Sequence, residues 1–355
     1  MKCKLCNTND LDNTGSHFIT ESVARSAVSD DGKKGRNNEI MHSLSIATLG
    51  QTFIGREISP EKIEEIKGRK MTDDEIAENE NMLIDFNLVC HSCEKKFNPI
   101  ETEFVTKVLR KKIEKQKDLK YIDLGEKDFK ITLLFLIINL WRTSASSKPH
   151  FKLSGNNEEV LRQILDDFKE VKIDKILEEI DFTNPLLTGI RFATLYLKND
   201  KGLKSENQIA LSSDTKPNFI IINQIAFVVF YEPTRKYDLP QLLKPLTSKN
   251  QVNKMTSCQP RKLLIKTVNN KKRLAAIKKT GKTQIKSLDK QIEYIIKAAH
   301  LKMYGFEPHR DVYRGTIKAI SKIPKKKLNL YEINRVIAIH LHLSGEYYKK
   351  YGRSH

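Results

Sequence analysis

Two Cys-x-x-Cys knuckles, Cys3-Lys4-Leu5-Cys6 and Cys90-His91-Ser92-Cys93, constrain this chain more than any other feature, and they take up four of its five cysteines. Each knuckle presents two sulfurs on one tight turn, and two such turns supply the ligand set of a tetrahedral structural zinc. The knuckles stand 83 residues apart, where a common zinc ribbon has roughly 15–20. The spacing predicts a zinc (Cys3, Cys6, Cys90, Cys93) that staples the two ends of an inserted unit. Taken singly, either pair also fits a redox motif or a chance occurrence.

At 355 residues the chain is long enough for two or three domains with a real core. Its most apolar stretch, Ile131–Trp141, has the length of a buried helix and not of a membrane span. Met1-Lys2-Cys3 is followed by no apolar segment of the kind a secretion signal carries. Reduced, metal-binding cysteines then lead us to expect a cytoplasmic protein with no membrane partner. Residues 251–355 hold 25 Lys and Arg against 6 Asp and Glu, whereas residues 1–250 hold 38 of each sign. The whole excess of +19 thus sits in the C-terminal portion. A segregated positive charge of this kind is the footprint of a polyphosphate partner, although a basic segment also serves solubility or an acidic protein.

Periodicity predicts an α+β chain in three parts. Residues 1–116 hold the knuckles, a strand beginning at His17, a bent hairpin arm over Leu44–Ile54, a charged helix started by Ser59-Pro60-Glu61, and a helix from Pro99. Within this part, residues 56–82 read as an insertion. Residues 117–240 combine an apolar helix over 128–145, a second helix over Glu158–Glu179, and four short strands. Those strands, Phe192–Leu197, Ile209–Leu211, Phe219–Ile222 and Ala226–Tyr231, predict an antiparallel meander. Leu239–Ser257 reads as a linker. Residues 251–355 then form a basic helical domain with a flexible Thr280-Gly281-Lys282 and helices near 284–304, 309–322 and 329–351.

Between the knuckles lies Ser16-His17-Phe18-Ile19, and the second knuckle continues as Leu88-x-Cys90-x-x-Cys93-Glu94-x-x-Phe97-x-x-x-Glu101. This combination resembles zinc-stapled HNH endonucleases, which have the ββα-metal or His-Me finger fold. It is most similar to bacterial HNH-like proteins with Cys-Glu where typical members have Cys-His. The resemblance covers residues 1–18 and 88–104, is weaker over Leu133–Ser144, where Leu140-Trp141-Arg142-Thr143-Ser144 is similar to a segment often found downstream, and reaches none of the last hundred residues. It departs from the pattern at Ser16, where an acid or second histidine is usual, at Thr20, where proline is common, and at the middle Asn, for which Asn87 lies unusually close to Cys90.

The resemblance implies a metal-dependent endonuclease, with DNA favoured over RNA. His17 would be the base that takes a proton from the attacking water, and Mg²⁺ or Mn²⁺ would stabilise the phosphate. Glu94 and Glu101 would hold that ion. Their spacing of seven puts both on one helix face if Glu94 is already helical, although they also fit a solvated ion network with Lys95, Lys96 and Lys107. His91 is a substitute ligand, and Arg142 would reach a phosphate or pair with a carboxylate. An antiphage-effector context would follow, with a regulatory protein or ribonucleoprotein partner. A decayed zinc-stapled binding or scaffold protein and a ribonuclease toxin are the alternatives. In the C-terminal part, Lys325, Lys326, Lys327, Arg335, Tyr348, Lys349 and Lys350 interleave cations with rings, which suits backbone tracking with base stacking.

Overall fold

The computed structural model describes residues 1–29, 36–42, 52–77, 79–148, 151–168, 172–199, 208–212, 217–231, 237–322 and 330–351. The chain is mixed α+β and divides into two units. The first comprises residues 1–32 and 82–279, the second 33–81 and 280–355.

The first unit begins with a short antiparallel pair, β1 (Ser16–His17) with β4 (Ile84–Asp85), in which Ser16 faces Asp85 and His17 faces Ile84. Helix α1 (Glu21–Val28) follows β1, and α4 (His91–Glu103) follows β4. α4 starts eight residues before Pro99, so the proline lies inside it and not at its head. Its backbone then widens into a π-helical segment over Phe104–Ile113 and closes with a 3₁₀ turn over Glu114–Gln116.

β5 (Tyr121–Gly125) leads into α5 (Glu126–Ala145), whose residues from Asp128 to Ala145 are buried except half-buried Lys130. A helix that is apolar on all sides needs partners on all sides, and α5 has them. The Phe135 ring stacks on Phe104 at 3.8 Å, and the Phe129 ring lies 5.4 Å from Phe192 on the sheet. Two helices, α6 (Gly155–Asp166) and α7 (Ile173–Glu179), stand where the spacing predicts one over Glu158–Glu179, and a short α8 (Pro185–Gly189) follows.

Six strands form one sheet in the order β5-β10-β6-β9-β8-β7. They are β6 (Arg191–Leu197), β7 (Ile209–Ser212), β8 (Asn218–Ile222), β9 (Ile225–Phe230) and β10 (Lys262–Val268), with β5 at one edge. Only β7, β8 and β9 form the expected meander; β6 pairs with β9, and β10 runs parallel to β6. The turn chemistry explains this. Asn223 takes φ 50° in the two-residue turn between β8 and β9, as a tight hairpin requires. Eleven residues separate β6 from β7, too many for such a turn.

Both faces of the sheet are covered, which is why its strands read as apolar runs. Phe192 and Phe227 meet the α5 side, while Ala193, Leu195 and Leu197 face the opposite cluster. That cluster takes Leu239, Leu243 and Leu246 together with Val252 and Met255 of α9 (Lys249–Ser257). The stretch 239–257 is therefore a layer of the core and not a linker, because its leucines recur at helical spacing despite the prolines. With β10 inside the sheet, residues 249–279 pack with this unit, and the boundary drawn at 251 moves to the end of it.

The second unit contains the hairpin of β2 (Ile40–His42) and β3 (Thr52–Ile54), the helices α2 (Pro60–Lys67) and α3 (Asp73–Ala77), and the C-terminal helices. Residues 43–51 of the expected hairpin arm lie outside the described residues. α2 starts as predicted, with Ser59 as cap and Pro60 at the first position, and ends on Gly68 at φ 75°. Gly55 has another reason to be glycine, since a Cβ there would lie 2.1 Å from the Asn37 carbonyl oxygen. α10 (Asn270–Tyr304) is continuous through Gly281, where the sequence predicts flexibility; one glycine inside a long helix costs only about 1 kcal/mol. α11 (Arg310–Ser321) and α12 (Leu330–Tyr351) pack together around Ile292, Ile296, Ile320 and Ile337.

Candidate functional site

The N-terminal end of α4 carries the cysteine cluster. Cys90 is its N-cap residue and Cys93 lies in its first turn. The first knuckle is held against this end by backbone bonds. Lys4 N–H donates to the Leu88 carbonyl at 3.0 Å, and Cys90 N–H donates to Cys3 Sγ at 3.3 Å. Asn7 closes the knuckle at φ 57° with its N–H on the Cys3 carbonyl. The Lys4 ammonium then ties the knuckle to the Ala145 carbonyl, and the Arg162 guanidinium of α6 donates to the knuckle's own Leu5 carbonyl.

The sulfurs of Cys3, Cys6, Cys90 and Cys93 all lie within 4.8 Å of one another, and three of the four residues are buried. Tetrahedral zinc with Zn–S bonds of about 2.3 Å sets its sulfurs about 3.8 Å apart, so this donor set is compatible with a structural zinc. The thiols also compete for one charge. Cys3 is pulled down to about 4, first by the Cys93 hydrogen bond and then by the backbone N–H groups of Cys6, Cys90 and Leu5, against burial. Cys93 is pushed up by sharing that bond with Cys3 and by its own burial. Four thiolates this close need a cation between them. Cys258, the fifth cysteine, lies apart on the Lys254 carbonyl.

Further along α4, Glu94, Phe97 and Glu101 share one face, as positions i, i+3 and i+7 must. Arg142 of α5 lies across all three. Its two terminal nitrogens donate to Glu94 Oε1 at 2.9 Å and Glu101 Oε1 at 2.6 Å, and its guanidinium sits 4.4 Å from the centre of the Phe97 ring. Arg142 is only 1% exposed. Ser16 donates its hydroxyl hydrogen to Glu94 Oε2, and Thr20 Oγ1 donates to Glu101 Oε1 at 2.6 Å. Asn139, one turn before Arg142, accepts from the Thr20 N–H at 2.9 Å. Burial pushes the Glu101 carboxyl above the usual carboxylate range, against the pull of Arg142 and Thr20.

His17 is 4% exposed, and its Nδ1 lies 4.0 Å from Glu21 Oε2, whose partner oxygen is held by Arg25 at 2.6 Å. Across the strand pair, Asp85 is buried and accepts from Ser146 Oγ at 2.8 Å, Ser147 N–H at 2.9 Å and Asn87 N–H at 2.8 Å. Burial raises its carboxyl, but these hydrogen bonds outweigh burial and hold it below the usual range.

The structure therefore brings Ser16, Glu94, Glu101 and Arg142 together, with His17 on the adjoining strand position. The carboxylate alternative for Arg142 is the one realised. Among the described residues the four cysteines are the only convergent group of His, Cys, Asp or Glu. Glu94 and Glu101 share the single positive charge of Arg142, so one cation of the chain itself already stands between the two acids. Lys95 is exposed, Lys96 bonds Asp166 at 2.7 Å through its main-chain oxygen, and Lys107 pairs with Glu103, so the solvated network with these lysines is not what holds the acids. His91 is exposed at the head of α4, and its backbone N–H donates to Asp12. Asn139 and Asp85 carry no sequence signal of their own, since their partners lie 119 and 61 residues away.

Of the basic C-terminal set, Lys325, Lys326 and Lys327 lie outside the described residues, as does the side chain of Lys350. Arg335 and Lys349 are exposed on α12. Tyr348 is not a free stacking platform. Its ring packs edge-on to Phe306 at 5.1 Å and to His300 at 5.4 Å, and its hydroxyl accepts from the His309 N–H at 2.8 Å. Among the described residues no helix is long and apolar enough to cross a membrane. No family model, curated protein or solved structure matches this chain.

Proposed function

We propose that this chain is a zinc-stapled phosphodiesterase of the HNH type that acts on nucleic acid, DNA before RNA, with His17 as its base and zinc on Cys3, Cys6, Cys90 and Cys93. The observation that carries the reading is the Ser16–Glu94 hydrogen bond. It closes β1 onto the first turn of α4, one residue from the cysteine cluster, with His17 at the next strand position and its ring near Glu21 of α1. The pair β1–β4 with α4 after it supplies the two strands and helix of the fold that the sequence resembles, with α1, β2, β3, α2 and α3 inserted between the strands. A neutral imidazole at this position accepts a proton from water near pH 7. Zinc in such a closed four-thiolate site contributes folding energy and takes no part in the cut.

A second reading has its own observation. Arg142 already occupies the space between Glu94 and Glu101, and His17 is 4% exposed, which favours a zinc-stapled nucleic-acid-binding or scaffold protein. A regulatory partner that opens the site would reconcile the two. The deciding experiment incubates the purified protein with plasmid, single-stranded DNA and RNA, with and without Mn²⁺ or Mg²⁺. His17→Ala should lower any cleavage about 10²–10⁴-fold while zinc content and nucleic-acid affinity stay unchanged. Cleavage equal in wild type and His17→Ala would remove His17 from the mechanism. Absence of cleavage of all three substrates gives the binder reading, and cleavage confined to RNA gives the ribonuclease one.

A further inference from the structure

The positive charge that matters for a nuclease need not be where the composition concentrates it. Residues 1–250 are neutral in sum, yet residues 104–117 alone carry Lys107, Arg110, Lys111, Lys112, Lys115 and Lys117 against the single acid Glu114. Most of this segment is π-helical, a geometry that is rare and recurs at functional sites. Its apolar residues, Phe104, Val105, Val108, Leu109 and Ile113, are all buried, which leaves its cations on the other side. There an open cavity of about 380 Å³ is lined by Glu103, Lys107, Lys111, Lys112 and Lys115, with Lys127, Asp128 and Ile131 contributed by the start of α5.

Three of these lysines have carboxylate partners: Lys112 with Asp128 at 2.6 Å, Lys107 with Glu103 at 3.8 Å, and Lys127 with Asp174 at 2.7 Å. Lys111 and Lys115 are exposed, with no ion pair among the described residues. We infer that this lysine-lined cavity binds the phosphate backbone of nucleic acid, and the inference rests on the reading that the chain binds nucleic acid at all. Three features favour a backbone over a small anion. The lysines are strung along two helical turns and do not converge on one point. They are ammonium point charges, with no Arg fork lining the cavity to grip one phosphate. The cavity also lies at the start of α5, the helix that carries Arg142 near its other end. Asp128 and Asn139, like Ile131 and Arg142, stand eleven positions apart, which is about 16 Å along α5. That is the length of roughly five base pairs of duplex at 3.4 Å each.

The test uses the full chain and fluorescence anisotropy with a short DNA duplex over a range of salt. Lys107→Gln, Lys111→Gln and Lys115→Gln are combined in one variant. A second variant has the same charge change dispersed over exposed Arg56, Lys70 and Lys244, each replaced by Gln. The cavity variant should reduce the slope of log affinity against log salt by about three, one for each phosphate no longer neutralised, and the dispersed variant should leave it near the wild-type value. The triple Lys→Arg cavity variant keeps the charge and should keep the slope, which separates loss of charge from a misfolded helix.

Equal slopes in the cavity and dispersed variants overturn the inference. A cavity variant that loses only tripolyphosphate binding, with DNA affinity intact, also overturns it and marks a small-anion site. Wild type that cuts DNA while the cavity variant keeps its slope removes this phosphate site and leaves the nuclease reading standing. Wild type that cuts nothing while the cavity variant loses its slope does the reverse.

Discussion

Helix α4 carries two clusters of acidic side chains, and they solve the problem of charge in opposite ways. At its first turn, four thiols meet with neutral donors around them, such as the Cys90 N–H and the Asn9 amide. Further along the helix, two carboxylates meet around the Arg142 guanidinium. The first cluster needs a cation from outside the chain. The second brings its own. Proximity of acidic groups therefore does not by itself mark a metal site; the decisive question is whether the fold has already supplied the countercharge.

The largest expected effect tests the first half of that contrast. Cys90→Ser, or removal of metal by a strong chelator, should unfold much of the first unit. Structural zinc in small domains is worth about 10–16 kcal/mol, more than the whole stability of a typical domain at about 5–15 kcal/mol. Elemental analysis should find about one zinc per wild-type chain, and thermal melting should report the loss. An equally stable, metal-free protein would show that the thiols need no cation.

Arg142→Ala tests the other half. It leaves two carboxylates facing each other in a buried place, which should cost about 3–5 kcal/mol. Denaturant unfolding of the single variant and of Arg142→Ala with Glu101→Gln distinguishes a charge effect from a packing one. The second substitution should recover part of the loss if charge is the cause. Manganese binding gained by Arg142→Ala, followed by spin resonance, would sharpen the comparison further, because it would show that only the guanidinium keeps a divalent ion out.

The smallest effect is one of pH. The folded-state pKa of Glu101 is raised, chiefly by burial. Below its unfolded value the carboxyl is protonated in both states and costs the fold nothing. As pH rises from there through the folded value, the native state holds a proton that the unfolded state has released, so stability falls. Glu101→Gln should remove that slope across the acid range in unfolding titrations. A slope unchanged by the substitution would assign the pH dependence to other groups.

Legibility in the sequence followed the range over which each signal acts. The apolar run that became α5 and the Ser59-Pro60 helix start are local patterns, and both elements form where the patterns stand. The strands β6 to β9 were legible for the same reason, but their order was not. The parallel place of β10 beside β6 depends on a crossover through residues 239–261, whose prolines disguise a core layer. The partners of Arg142 were visible only as two alternatives, since they lie 41 and 48 residues away.

The sequence by itself determined the cysteine cluster, even across 83 residues, because zinc chemistry admits few ligand sets and two Cys-x-x-Cys pairs complete one. It also determined that Glu94 and Glu101 share a helix face, since helical periodicity allows no other arrangement at that spacing. Only the tertiary structure decided what those acids meet. Packing α5 against α4 places a buried arginine between them, and in a medium of low polarity a charge held that close controls the site more than the identity of the acids does.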